Sequence, residues 1–273
     1  MLKPRYVLII CGLILFFLVG LCLAVENNIG GSAKLAGKGF SQVADNLGIL
    51  ANPASFEHVK VKLSLSRSEL YDIGVIYSYY EGAFHLLPNL RIGLIYESVQ
   101  DQDKIDYSGY SQQLFALGLA YKANERLKLG INMNHNRIGL FKENIGEGYS
   151  YDFGILLGPF KINQSYTNLG LKAENLLASR KYKTNRVETP ELIITFGGNI
   201  DIGDISCAVD ITQDELRFGI EYQVINSLTL RAGLVNGQPT LGIGVLRSPL
   251  QIDYAYWLSE VGATHRVGSS IYF

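Results

Sequence analysis

From about residue 57 to the end of the chain, apolar and polar residues alternate in short runs separated by turn-forming residues. A period of two places the two sets on opposite faces of a strand, whereas a helix would scatter them round its circumference. The run from Leu127 to Asn134 is the cleanest. Leu127, Leu129, Ile131 and Met133 share one face, and Lys128, Gly130, Asn132 and Asn134 share the other. Val59, Val61, Leu63 and Leu65 oppose Lys60, Lys62 and Ser64 in the same way, and Ile252, Tyr254 and Tyr256 oppose Gln251, Asp253 and Ala255. Tyr71, Ile73, Val75, Tyr77 and Tyr79 form an apolar face opposite Asp72, Gly74 and Ser78.

The pattern predicts strands near 57–65, 70–80, 89–99, 109–122, 126–141, 148–158, 166–176, 190–200, 204–212, 215–224, 227–236, 238–247, 249–258 and 262–273. These are about fourteen, each using about 15 residues with its turn, of which a tilted membrane strand needs roughly 9–11. Turns are expected at Ala123-Asn124-Glu125, Gly158-Pro159, 201–203, Asn226, Asn236-Gly237 and Ser248-Pro249. The expected fold class is all-β: an antiparallel transmembrane β-barrel of about fourteen strands. An even strand count returns both barrel ends to one side, so the longer connections 100–109 and 177–189 belong on the external side. The second of these is basic, with Arg180, Lys181, Lys183 and Arg186. A soluble β-sandwich also alternates, with its apolar face inward. Tyrosines near strand ends (Tyr77, Tyr79, Tyr80, Tyr96, Tyr121, Tyr149, Tyr151, Tyr254, Tyr256 and Tyr272) favour the barrel, because they fit aromatic girdles at the membrane interfaces.

The first residues add export to this picture. Lys3 and Arg5 precede an uncharged run from Val7 to Ala24, and Cys22-Leu23-Ala24 supplies small residues at a cleavage site. Residues 1–24 therefore read as a secretory signal peptide, with an uncleaved anchor helix as the alternative. Residues 25–56 then form a segment of their own ahead of a barrel at 57–273. After cleavage Cys207 is the sole cysteine, which excludes an intramolecular disulfide and suits a small apolar strand position. The outer membrane is the expected location, with its lipid and the barrel-assembly machinery as partners.

Composition closes several other routes. The formal net charge is -1, which offers nothing to nucleic acid. Gly37-Lys38 lacks the flanking residues of a phosphate loop, and no nucleophile elbow, zinc helix or paired-cysteine motif is present. His58, His85, His135 and His265 fall on separate elements. No catalytic centre, metal or cofactor is expected. The charged residues assigned to the lumen are Lys60, Lys62, Asp72, Arg91, Glu97, Lys128, Asp210, Arg217, Glu221, Arg231, Asp253 and Arg266. Their mixed signs suit pairing across strands in a filled lumen better than a polar substrate pathway.

Three segments resemble a known family. Residues 31–45, from Gly31-Ser32-Ala33 through Gly37-Lys38-Gly39-Phe40 to Ala44-Asp45, followed by Asn52-Pro53-Ala54-Ser55, resemble the N-terminal signature of the PorV/PorQ group. That group is related to the FadL-type long-chain fatty acid transporters. Gly170 to Leu176 resembles its mid-barrel strand, and Gln251–Trp257 with Gly262–Phe273 resembles its closing hairpin. Lys38, Asn46 and Ser55 depart from the usual pattern. The resemblance implies a fourteen-strand barrel with the N-terminal segment, a short helical plug, in its lumen. Gly37, Gly39, Phe40, Asp45, Asn52, Pro53 and Ala54 would then form the plug or gate. It also implies either transport of hydrophobic molecules or an accessory role in protein secretion, so that a hydrophobic ligand or secretion-system components join the expected partners. A structural or adhesive barrel with a blocked lumen is the alternative. Val267, Ile271 and Phe273 on the last strand resemble a barrel-assembly signal.

Overall fold

The computed structural model describes residues 30–57, 59–101, 109–141 and 143–273. The expected signal peptide and His58 lie outside the described residues. A five-residue helix, Ala33–Gly37, is capped by the Ser32 hydroxyl, which accepts from Leu35 N. The strands follow: β1 Val61–Leu70, β2 Val75–Leu87, β3 Leu90–Asp101, β4 Ser111–Lys122, β5 Leu127–Leu140, β6 Glu143–Ile162 and β7 Ser165–Tyr182. After the two-residue β8, Val187–Glu188, come β9 Ile193–Ile202, β10 Ile205–Ile211, β11 Leu216–Ile225, β12 Leu228–Val235, β13 Gln238–Arg247, β14 Leu250–Ser259 and β15 Gly262–Tyr272.

Every long strand pairs antiparallel with its sequence neighbour, and β1 also pairs with β15, which closes a fourteen-strand barrel. β8 only folds back on the end of β7. Closure pairs the whole ladder and leaves no edge, the condition for a sheet surrounded by hydrocarbon. At the seam Phe273 N donates to Val61 O at 2.9 Å, so both barrel ends meet at one rim. Alternation sorts the side chains as expected. Leu63, Leu94, Leu117 and Met133 are about half exposed on the outside, while Lys62, Arg91, Lys128 and Arg266 are buried within.

Several boundaries differ from the sequence pattern, each for a local reason. β1 begins at Val61 and not at residue 57, because Glu57 is held in the lumen by Lys62 and Arg91. The turn into β2 then falls at residues 71–74, where Tyr71, Asp72 and Gly74 all have positive φ. The stretch between the expected strands 70–80 and 89–99 is largely strand, because residues 81–87 are the lower half of β2 and only 88–89 turn. Gly158-Pro159, expected as a turn, is a bulge inside β6, where a proline costs no ladder bond. The expected loop 177–189 is shorter, because β7 continues to Tyr182 through irregularities at Asn175 and Leu177, both with positive φ. Lys60 and Asp72 are exposed rather than lumenal. Tyr77 and Tyr79, expected in a girdle, point into the lumen and are only 2% and 1% exposed.

Candidate functional site

Residues 30–57 run through the barrel as a plug, and the wall is shaped to receive their main chain. On the inner face, glycines oppose glycines across neighbouring strands: Gly93 with Gly118, Gly130 with Gly154, Gly170 with Gly197, and Gly219 with Gly233. Each belongs to a place where a side chain would strike the plug. A methyl group at Gly130 would collide with Pro53, at Gly170 with Val43, and at Gly219 with Lys38. At Gly242 it would lie 2.8 Å from the Cα of Gly37. Glycine is abundant here because two backbones touch at these points.

The expected plug residues come together along this path. The Gly37 carbonyl accepts from Thr240 Oγ1 at 3.3 Å. Gly39 has φ +62, and a methyl group there would sit 2.8 Å from Leu234 N, so both conformation and space require glycine. Phe40 is 1% exposed, packs edge-on to Trp257 at 5.6 Å and lies under the Arg266 guanidinium. Asp45 pairs with Lys38 at 2.6 Å. Burial would lower the Lys38 ammonium, but Asp45 and then Glu221 outweigh it and hold its pKa above the ordinary value.

Asn52 ties the plug to the wall. Its Nδ2 donates to Val43 O in the plug at 2.7 Å, and to Ile155 O of β6 and Leu171 O of β7 at 3.2 and 3.3 Å. Its Oδ1 accepts from Ala54 N at 2.9 Å, which tightens the Asn52-Pro53-Ala54 corner. Immediately beyond these carbonyls the β6–β7 ladder slips twice, between Tyr149 and Tyr151 and between Tyr151 and Phe153. β9 pairs with β7 only as far as Glu174. The plug corner therefore docks beside the most irregular stretch of the wall.

The departures from the family signature all have partners. Lys38 holds Asp45, Asn46 Oδ1 accepts from Phe56 N at 3.1 Å, and Ser55 Oγ accepts from Gly48 N at 3.1 Å.

The lumenal charges do more than pair across strands. Arg231 meets Glu221 at 2.5 Å and Asp253 at 2.8 Å, as expected. Many others serve the plug backbone. Asp210 accepts from the amides of Gln42 and Val43, Lys172 donates to Leu50 O, and Lys62 donates to Leu47 O. Glu97 accepts from Gly31 N at 3.0 Å and from the Tyr77 hydroxyl, while Arg266 donates to Gly31 O at 2.7 Å. The signs are mixed because a main chain offers donors and acceptors alternately. At the plug exit Glu57 bridges Lys62 and Arg91. Burial would raise its carboxyl, but Lys62 and Arg91 overcome this and hold it below the ordinary carboxylate range.

No family model and no curated protein matches the sequence. Solved structures do match. The Pseudomonas putida toluene transporter TodX has a TM-score of 0.59 at 12% identity, over 92% of this chain and 99% of that one. The CymD monoaromatic hydrocarbon channel has a TM-score of 0.58 at 12% identity, over 91% and 98%. A Pseudomonas aeruginosa FadL homologue has a TM-score of 0.57 at 10% identity, over 92% and 99%. The fold is that of a FadL-type outer-membrane barrel.

The three residues that resemble a barrel-assembly signal lie on the outer face of the barrel. Val267, Ile271 and Phe273 alternate outward along the last strand, and Val267 and Phe273 are 55% and 65% exposed. Among the described residues no cluster of histidine, cysteine, aspartate or glutamate is arranged to hold a metal. His85 contacts Glu57 O, His135 stacks on Tyr149, and His265 bonds Tyr254. Two signals were missed in the sequence reading, the inward glycines and the buried tyrosines. Glycine at lumenal parity in adjacent strands marks the plug track and could have been found from the alternation alone.

Proposed function

We propose that this chain is an outer-membrane transporter of hydrophobic molecules, gated by residues 30–57. The observation that carries the reading is the single amide of Asn52, which joins the plug to the paired Ile155 and Leu171 of β6 and β7, two residues short of where their ladder slips. Displacing the plug corner frees two wall carbonyls beside an existing irregularity, so gate and wall move together. The likeness to TodX, CymD and the FadL homologue supports transport, and the apolar outer wall supports an outer-membrane location. The narrower PorV/PorQ signature at residues 31–55 supports the plug assignment. It also carries a second reading, an accessory of protein secretion, whose docking surface would be the external ends of β6, β7 and β8. Uptake of radiolabelled toluene and of a long-chain alkane into proteoliposomes separates these readings. Flux above that of empty liposomes is expected for a transporter, and none for a secretion accessory or a blocked structural barrel.

A further inference from the structure

The lipid-facing wall of β1 to β5 and β15 carries an apolar groove of about 810 Å³, lined by Leu65, Tyr80, Tyr96, Phe115, Met133 and Ile271 among others. Its rings are in register: Tyr80 faces Tyr96, Tyr96 faces Phe115, and Phe115 faces His135 across successive strands. Two residues along each strand toward the external rim, the same face turns polar. There Arg67 faces Ser78, Ser78 faces Ser98, Ser98 faces Gln113, and Gln113 faces Arg137. Two exposed arginines thus bracket the partly exposed Ser78 and Gln113, with Ser98 buried between them, along one edge of an apolar groove. Neither arginine has an ion pair among the described residues. Glu147, opposite Arg137, leans instead toward His135 at 3.9 Å. The row ends at Val267 of β15, which faces Arg67, and at Glu147 of β6, which faces Arg137, so the cationic stretch is confined to β1 through β5.

An arginine on the lipid face of a barrel is costly unless its head reaches the interface or meets an anion. Guanidinium binds phosphate through paired hydrogen bonds. Four strand spacings separate the two arginines, about 19 Å between Cα atoms along the wall, so one phosphate cannot engage both. We propose that the groove and its polar edge hold a doubly phosphorylated, multi-chain lipid of the external leaflet. Its phosphates meet Arg67 and Arg137, its head lies along Ser78 and Gln113, and its acyl chains cross Tyr80, Tyr96 and Phe115.

The inference rests on the outer-membrane reading, so the first readout is outer-membrane fractionation with heat-modifiable gel migration. Loss of that behaviour in the wild type would reject both readings together. Protein purified from outer membranes in mild detergent is then titrated, by native mass spectrometry, with diphosphorylated lipid A, with phosphatidylcholine and with pyrophosphate. One lipid A per chain is expected, preferred over phosphatidylcholine by roughly tenfold or more, with no binding of pyrophosphate. Arg67→Gln with Arg137→Gln should abolish the preference while gel migration stays unchanged, and Phe115→Ala should weaken it. Equal retention of the two lipids, an unaffected double variant, or pyrophosphate bound as tightly as lipid A would each overturn the site.

Discussion

Asn52→Leu removes the plug-to-wall amide while keeping the side-chain volume close to that of asparagine. Asn52 is 0% exposed and serves the carbonyls of Val43, Ile155 and Leu171 and the amide of Ala54. A buried group left without its partner costs about 1–3 kcal/mol, and neighbouring backbone can re-pair part of the set. A net loss of about 3 kcal/mol in plug docking is therefore expected, which is about a 100-fold rise in the undocked fraction. The assay is the labelling rate of a cysteine placed at Val43, which is 2% exposed and beside the lost bond, in a Cys207→Ser background. A membrane-impermeant maleimide added to the folded protein should label the Asn52→Leu form about 100-fold faster. Heat-modifiable migration should be unchanged, because the barrel ladder does not pass through Asn52. Labelling within about threefold of the parent would show that the plug is held elsewhere and would refute the anchoring role.

Other perturbations have equally definite outcomes. Gly130→Val puts a side chain where the Pro53 backbone lies, so tryptic cleavage within residues 30–57 should appear while the barrel core stays resistant. Arg231→Met leaves the buried Asp253 with only the Gln251 amide as partner and removes the partner of the quarter-exposed Glu221, and should cost about 1–3 kcal/mol, read as a lowered midpoint in urea unfolding. The folded Glu57 carboxyl lies below its unfolded value, so its contribution is present above the ordinary carboxylate range and is lost as pH falls through the lowered value. Protease protection of the plug's C-terminal end at residues 55–57 should therefore hold through the ordinary carboxylate range and fail only below it, with Glu57→Gln removing the acid step.

Much of the barrel was legible because its wall separates two environments, and period-two alternation records that separation at every strand. The turns at Asn236-Gly237 and Ser248-Pro249 and the outward set Leu127 to Met133 follow directly from it. The pattern misled where the inner face is not polar. Tyr77 and Tyr79 look like girdle residues, yet they face Glu97 and Glu81 inside the lumen, where each hydroxyl finds a carboxylate. Gly158-Pro159 looks like a turn because proline ends most strands, whereas a bulge accommodates it here. The plug residues were named from family resemblance, but their chemistry was not legible in the alternation. A plug is recognised through backbone contacts, and only the glycines opposite it leave a trace in sequence.

The central claim, that residues 30–57 gate passage through the lumen, is tested most directly by fastening the plug reversibly. A Cβ at Gly268 would lie 3.2 Å from that of Ala33, close to disulfide geometry, so Ala33→Cys with Gly268→Cys in a Cys207→Ser background would join plug to wall. Proteoliposome flux of a radiolabelled hydrophobic solute is measured with the bridge oxidised and again after reduction. The account predicts flux no higher than that of empty liposomes when oxidised, rising above it on reduction. Equal flux in both states would contradict it and place the route outside the plugged lumen.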